Sequence, residues 1–283
     1  MVRLEDYGDF ETSWCPGCGN FGIRQAIMQA LVAQNLAPHE VMMVSGIGQA
    51  AKMPHYLNIN FHNGLHGRAL PVAQGAHLAN PGMKLLVCSG DGCNYGEGGN
   101  HFLAAARRNM DITLLAHDNQ IYGLTKGQAS PTTMFGQKTK TQPQGVPSHP
   151  FNPIAVAISM GIGFVARAFS GMPDHLAALI QKGMEYRGFA LIDILQPCVS
   201  FNKVNTHAWY KERCYELPET YDPYDRAQAL RKAFEFEERI PLGVIYRHSG
   251  PPYDDISSQV PAQPLATHMP DHQGLVRVLQ SYR

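Results

Sequence analysis

Residues 84–93 read KLLVCSGDGC. A leucine- and valine-rich run stops abruptly at Gly-Asp-Gly, the form taken by a strand buried on both faces that ends in a turn. Three further runs share it. Residues 41–44 end at Ser-Gly-Ile-Gly, residues 112–116 at His-Asp-Asn, and residues 189–195 at Gln-Pro-Cys. Helical spacing lies between them. Ile23, Ile27, Ala30 and Leu31 share a face after a candidate cap at Asn20, and Leu176, Leu179, Ile180 and Met184 share another, with Pro173 at its start and Gly188 at its stop. Alternation of strand and helix predicts an α/β fold with a doubly wound, mostly parallel sheet.

Polar and glycine-rich residues collect at the carboxyl ends of these strands, at Gly46 to Gln49, Asp91, Asn119 and Cys198. Open α/β sheets bind ligands there, so four such ends form one crevice if the strands are neighbours. Past residue 215 the pattern thins. Residues 225–239 read as one more helix, with Ala227, Leu230 and Phe234 on a face. Pro241, Pro251, Pro252, Pro261, Pro264 and Pro270 then interrupt the chain. We therefore expect two regions, a sheet domain over 1–215 and a C-terminal helix with an extended arm over 216–283.

Composition limits the partners. The 283 residues are 44% hydrophobic and 16% charged, with 23 Lys plus Arg balanced by 23 Asp plus Glu. A charged fraction below the usual ~25% mildly favours an obligate protein partner. A neutral chain lacks the basic excess that nucleic acid requires. The longest weakly charged stretch, 153–166, is too short to span a bilayer and is broken by Gly161 and Gly163. Residues 1–14 carry acids and no apolar run, unlike a signal peptide. Six cysteines in a chain of this length suit metal binding or burial in a reduced, cytoplasmic protein better than a disulfide scaffold.

Two constellations carry chemistry. In the first, Gly90 and Gly92 flank Asp91, and Asn119 follows the next strand. The glycines let backbone amides approach a diphosphate. A carboxylate, an amide oxygen and the Ile121 carbonyl are hard ligands suited to Mg²⁺ beside substrate phosphates. Gly-Asp-Gly with a spaced Asn, each at a strand end, is the thiamine diphosphate motif. In the second, Cys15-Pro-Gly-Cys18-Gly is joined by Cys198 after Gln196-Pro197. Taken alone, this set fits zinc, a redox dithiol or an iron–sulfur cluster. Cys88, inside an apolar strand, reads as a small buried hydrophobe, and Cys214 shows no role.

With these residues in view, the chain resembles the β subunit of 2-oxoacid:ferredoxin oxidoreductases, the 2-oxoglutarate branch most of all. The matching stretches are WCPGCGNFGI (14–23), VSGIG (44–48), KMPHY (52–56), LHGRALPVA (65–73), GDGCNYGEGGNHFLAAARRN (90–109), DNQIYGLTKGQASPTT (118–133) and QPCVSFNKVNT (196–206). The resemblance implies a thiamine diphosphate-binding fold, a [4Fe–4S] cluster and a separate α subunit. It assigns Mg²⁺ to Asp91, Asn119 and Ile121, and thiamine contacts to Ile47, Gly48, Gln49, Ala50, His66, Gly92, Cys93, Gly123 and Leu124. Gly90, Asn94, Tyr122 and Thr125 lie on the same turns and join the candidates. The implied reaction is oxidative decarboxylation of a 2-oxoacid, with coenzyme A taking the acyl group and ferredoxin the electrons. It is reversible as a carboxylation. A non-redox decarboxylase subunit and a zinc-stabilised structural partner are the alternatives. Family members carry on the partner subunit the glutamate that helps ionise thiamine, so Glu97 is not assigned that task. His66 and Lys126 are the catalytic candidates, Lys126 as the cation for the second carboxylate of 2-oxoglutarate.

Two departures from the family pattern stand out. Gln49 replaces the third cluster cysteine, and Cys93 replaces the acidic residue after Gly-Asp-Gly. Cys15, Cys18 and Cys198 supply three ligands, and Cys93, on a turn of the same crevice, is the expected fourth.

Overall fold

The computed structural model describes residues 1–258, 260–267 and 271–282, so Pro270 lies outside the described residues. Among these, eight strands form one sheet: β1 (Val41–Ser45), β2 (Asn60–Asn63), β3 (Lys84–Gly90), β4 (Ile112–Asp118), β5 (Phe164–Phe169), β6 (Phe189–Leu195), β7 (Cys214–Glu216) and β8 (Ile240–Arg247). Their order across the sheet is β2-β1-β3-β4-β6-β5-β8-β7. The neighbours β1, β3, β4, β6 and β5 run parallel, and β8 is antiparallel to β5. The four strand ends picked out by sequence thus belong to four adjacent strands.

Period-two alternation sends successive side chains to opposite faces. Leu86 and Cys88 of β3 face a core closed by α1 (Asn20–Ala33), with α5 (Pro173–Glu185) packed beside it. Leu85 and Val87 face the other core, under α2 (Ala69–Ala79), α3 (Gly99–Arg108), α4 (Pro153–Met160) and α7 (Arg226–Ala233). The helix α6 (His207–Arg213) leads into β7. Helix α1 comes unusually close to the turn after β5. A Cβ on Gly22 would sit 2.1 Å from the Ser170 carbonyl oxygen, so only glycine fits. None of the described helices is long and apolar enough to cross a membrane.

Three expectations need correction. Asn20 does not cap α1, because its Oδ1 is engaged by His117 Nδ1 at 2.8 Å inside the protein. Residues 216–283 are not simply a helix followed by an arm, and residue 215 is not the edge of the sheet. Residues 240–247 return as β8, tolerated despite Pro241 because pairing to β5 begins at Gly243. The helix there ends at Ala233, buries Ala229 and Ala233, and leaves Phe234 exposed. Beyond β8 the described residues include the short helices α8 (Tyr253–Ile256) and α9 (His272–Ser281), the latter with Leu275, Val276, Val278 and Leu279 exposed.

Candidate active site

Asp91 follows β3 directly and is buried. Thr132 Oγ1 lies 2.7 Å from both Asp91 Oδ2 and Asp118 Oδ1. Its hydroxyl is the donor to both, so the two carboxyls share one proton of Thr132. Burial and the neighbouring Asp193 and Asp91 hold Asp118 protonated well above the ordinary carboxylate range. The Thr132 hydrogen bond favours the ionised form of both carboxyls and opposes the rise that burial imposes on them. Burial also raises Asp91, a cost that a bound cation would offset. After β4, Asn119 Oδ1 accepts from the Ile121 N–H at 3.0 Å and Gln120 takes φ +58°. This tight turn brings the Asn119 amide and the Ile121 backbone to the same strand ends as Asp91.

Gly92, Cys93 and Asn94 open a π-helical turn, Gly92–Glu97. Asn94 Nδ2 donates to the Ser89 carbonyl at 3.0 Å, so its amide ties down Gly90 and the turn. Gly92 is required by close approach. An added Cβ would meet the Tyr122 ring at 2.1 Å. Tyr122 in turn donates to Glu97 Oε2 at 3.1 Å, and His66 Nε2 lies 3.2 Å from the same oxygen. His66 Nδ1 is shielded and has no partner in the protein, which leaves it open to a ligand. Sequence reading counted His66 and Tyr122 among the cofactor candidates and left Glu97 aside. The structure joins them, and only spacing in three dimensions reveals it. Gly92→Ala is expected to destabilise the protein by about 1–3 kcal/mol through overpacking. Thermal melting should show that loss relieved in Gly92→Ala/Tyr122→Ala.

The turn after Tyr122 is closed by Lys126 N–H to the Gly123 carbonyl and Gly127 N–H to the Tyr122 carbonyl. Leu124, Thr125 and Lys126 are exposed on it, and Lys126 adopts φ +76°. On the β1 side, Ile47 is exposed, Gly48 has φ +118°, and Ala50 is buried. These turns follow β1 and β4, the strands on either side of β3 and Asp91.

Cys15, Cys18 and Cys198 line one small pocket together with Trp14, Gln49 and Gln196. Asn119 and Gly123 form part of the same wall. Asn202 Nδ2 also donates to the Asn119 carbonyl, joining the segment after Cys198 to the turn after β4. Ser200 Oγ lies 3.0 Å from Cys15 Sγ and Gln196 Nε2 3.4 Å from Cys18 Sγ. Burial, then repulsion from Cys198 and Cys15, pushes the Cys18 thiol up, opposed by the Asn20 backbone N–H and Gln196. Among the described residues no three His, Cys, Asp or Glu side chains are gathered tightly enough to hold a metal ion. The donor chemistry still fits a soft cluster, with three sulfurs on one pocket and N–H or O–H donors aimed at two of them.

Cys93 does not join them. It lines no part of this pocket, its Sγ accepts from the Gly67 N–H at 3.1 Å, and it packs against Gly46. Cys88 is buried, 2.8 Å from His117 Nε2. Cys214 belongs to a separate core, its thiol pushed up to about 12 by burial.

Known proteins resemble this chain in sequence and fold. Residues 39–194 fit the thiamine pyrophosphate enzyme, C-terminal TPP binding domain, and residues 198–261 fit the C-terminal family of the pyruvate ferredoxin oxidoreductase β chain. The chain is 46% identical over 255 residues to subunit beta of 2-oxoacid:ferredoxin oxidoreductase 1 from Aeropyrum pernix, covering 86% of this chain and 79% of that one. It is 40% identical over 208 residues to the 2-oxoglutarate oxidoreductase subunit KorB of Mycobacterium tuberculosis, covering 74% and 56%. A solved 2-oxoglutarate:ferredoxin oxidoreductase from Magnetococcus marinus, with 2-oxoglutarate, coenzyme A and succinyl-CoA bound, superposes with a TM-score of 0.91 at 35% identity, over 98% of this chain and 96% of that one.

Proposed function

This chain belongs to the β-subunit family of the 2-oxoacid:ferredoxin oxidoreductases, and from that premise we propose that it oxidatively decarboxylates 2-oxoglutarate to succinyl-CoA, in the cytoplasm and together with an α subunit. Thiamine diphosphate, when bound, supplies the electron sink for loss of carbon dioxide. Asp91, the Asn119 amide and the Ile121 carbonyl would hold Mg²⁺ against its diphosphate. Thr132 favours the ionised form of Asp91 by donating to it. His66, anchored on Glu97, offers Nδ1 to the bound molecules. Cys15, Cys18 and Cys198 would hold the [4Fe–4S] cluster that relays electrons to ferredoxin.

One observation carries this reading. The three-cysteine pocket and the thiamine turn share a wall at Asn119 and Gly123, so electron donor and acceptor would be neighbours. Iron, sulfide and thiamine analysis of the anaerobically purified complex tests it. A colourless complex with thiamine but no iron would favour the non-redox decarboxylase instead.

Substrate choice rests on Lys126, the exposed cation on the thiamine turn. Lys126→Ala is expected to raise KM for 2-oxoglutarate roughly tenfold or more, the worth of one charge-assisted hydrogen bond. KM for a monocarboxylic 2-oxoacid should hardly change, and equal losses would remove Lys126 from recognition.

A further inference from the structure

Besides Cys15, Cys18 and Cys198, the polar residues lining their pocket are Gln49, Asn119, Gln196 and Ser200. Gln49 Oε1 and Gln196 Oε1 are both shielded from solvent without a hydrogen-bond partner, but the Gln196 amide is already engaged with Cys18 Sγ through its Nε2 at 3.4 Å, which leaves Gln49 as the uncommitted one. Shielded acceptors are nearly always satisfied, so an orphan facing a pocket signals a missing ligand. The backbone of Gln49 is held in place. Its carbonyl accepts from the Trp14 indole N–H at 2.9 Å, and the residue begins the 3₁₀ turn Ala50–Tyr56. Among the described residues no fourth cysteine lines the pocket. Cys93 is turned to Gly67 and Cys214 lies in another core.

We propose that the carboxamide oxygen of Gln49 takes the fourth corner of the iron–sulfur cluster, giving three thiolate-bound irons and one oxygen-bound iron. This rests on the cluster reading above. A neutral amide in place of a thiolate removes one negative charge, which makes the cluster easier to reduce. It also leaves one iron held by a harder, weaker ligand than the other three.

The complex with its α subunit, purified anaerobically, is compared as wild type, Gln49→Cys, Gln49→Ala and Cys93→Ser. Iron and acid-labile sulfide are counted, potentials are measured by EPR-monitored titration, and each sample is checked for fold by circular dichroism. Each is then treated with one equivalent of ferricyanide. Ferricyanide takes one electron, and [4Fe–4S]²⁺ becomes [3Fe–4S]⁺ with release of Fe²⁺. Wild type is expected to lose about one iron in four and to develop the three-iron signal. Gln49→Cys should keep all its iron and titrate at a more negative potential. Gln49→Ala should already lack that iron as purified, and Cys93→Ser should match wild type. If Gln49→Ala holds iron as firmly as wild type, or if Cys93→Ser loses it, Gln49 is not the ligand. If wild type and Gln49→Cys both fold but contain neither iron nor sulfide, the cluster reading itself fails.

Discussion

Replacing Asp91 with asparagine is expected to weaken Mg²⁺ and thiamine diphosphate binding together by about 100-fold or more, since loss even of an outer-shell partner costs 10–100-fold. Turnover should fall in proportion and recover partly with excess Mg²⁺. Stability should move the other way. Burial raises the Asp91 carboxyl to about 6. A raised folded-state value gives stability that is present below the unfolded carboxylate value and lost as the pH climbs through the raised one. Without a cation, wild type should therefore weaken from about pH 4 to about pH 6. Asp91→Asn, which has no charge to bury, should lack that component and melt no lower than wild type at neutral pH. Calorimetric binding and melting curves in chelator measure both arms. A variant that binds cofactor normally without added Mg²⁺ would remove Asp91 from the site.

Arg167→Ala is expected to cost stability on the scale of about 3–5 kcal/mol, the penalty for orphaning a buried charge. Arg167 is 2% exposed on β5, and its guanidinium donates to the Ala233 and Glu235 carbonyls at 3.1 and 3.2 Å. Across the β5–β6 register it stands opposite Asp193, whose carboxylate accepts from the Tyr95 hydroxyl at 2.9 Å and feels the Arg167 charge without a direct hydrogen bond to it. Burial raises Asp193 and Arg167 opposes the rise. Without the cation the carboxyl would climb further, so the loss should deepen as the pH rises. A melting point lower by roughly 10 °C at neutral pH is expected for a chain of this size. Arg167→Met/Asp193→Asn should restore much of it. An unchanged melting point for Arg167→Ala would show that the pair is not coupled.

The crevice was legible because its four strands are short apolar runs with chemically distinctive stops. What the sequence hid was hidden for physical reasons. The β5 segment, FVARAF, follows the apolar helix α4 after only Gly161, Ile162 and Gly163 and carries a buried arginine, which a hydrophobic pattern counts as surface. Pro241 disguised β8, although it falls outside the stretch paired with β5 and lies opposite Tyr215 of the short strand β7. Cys93 shares a crevice with the cysteine pocket in the linear map, yet its sulfur is turned to the Gly67 amide. The joining of His66, Glu97 and Tyr122 depends on the packing of Tyr122 over Gly92. No spacing rule along the chain encodes that contact.

The placement of β8 has a consequence for vectorial synthesis. A ribosome releases β5 and β6 well before residues 233–247 exist. Until then the outer edge of β5 has no partner strand, and the Arg167 guanidinium lacks the two carbonyls that receive it. Unpaired strand edges are templates for pairing between chains. The nascent protein thus stays adhesive until its last long strand emerges. The segment from Ala233 to Arg247 closes both the β5 edge and the Arg167 site from late in the chain.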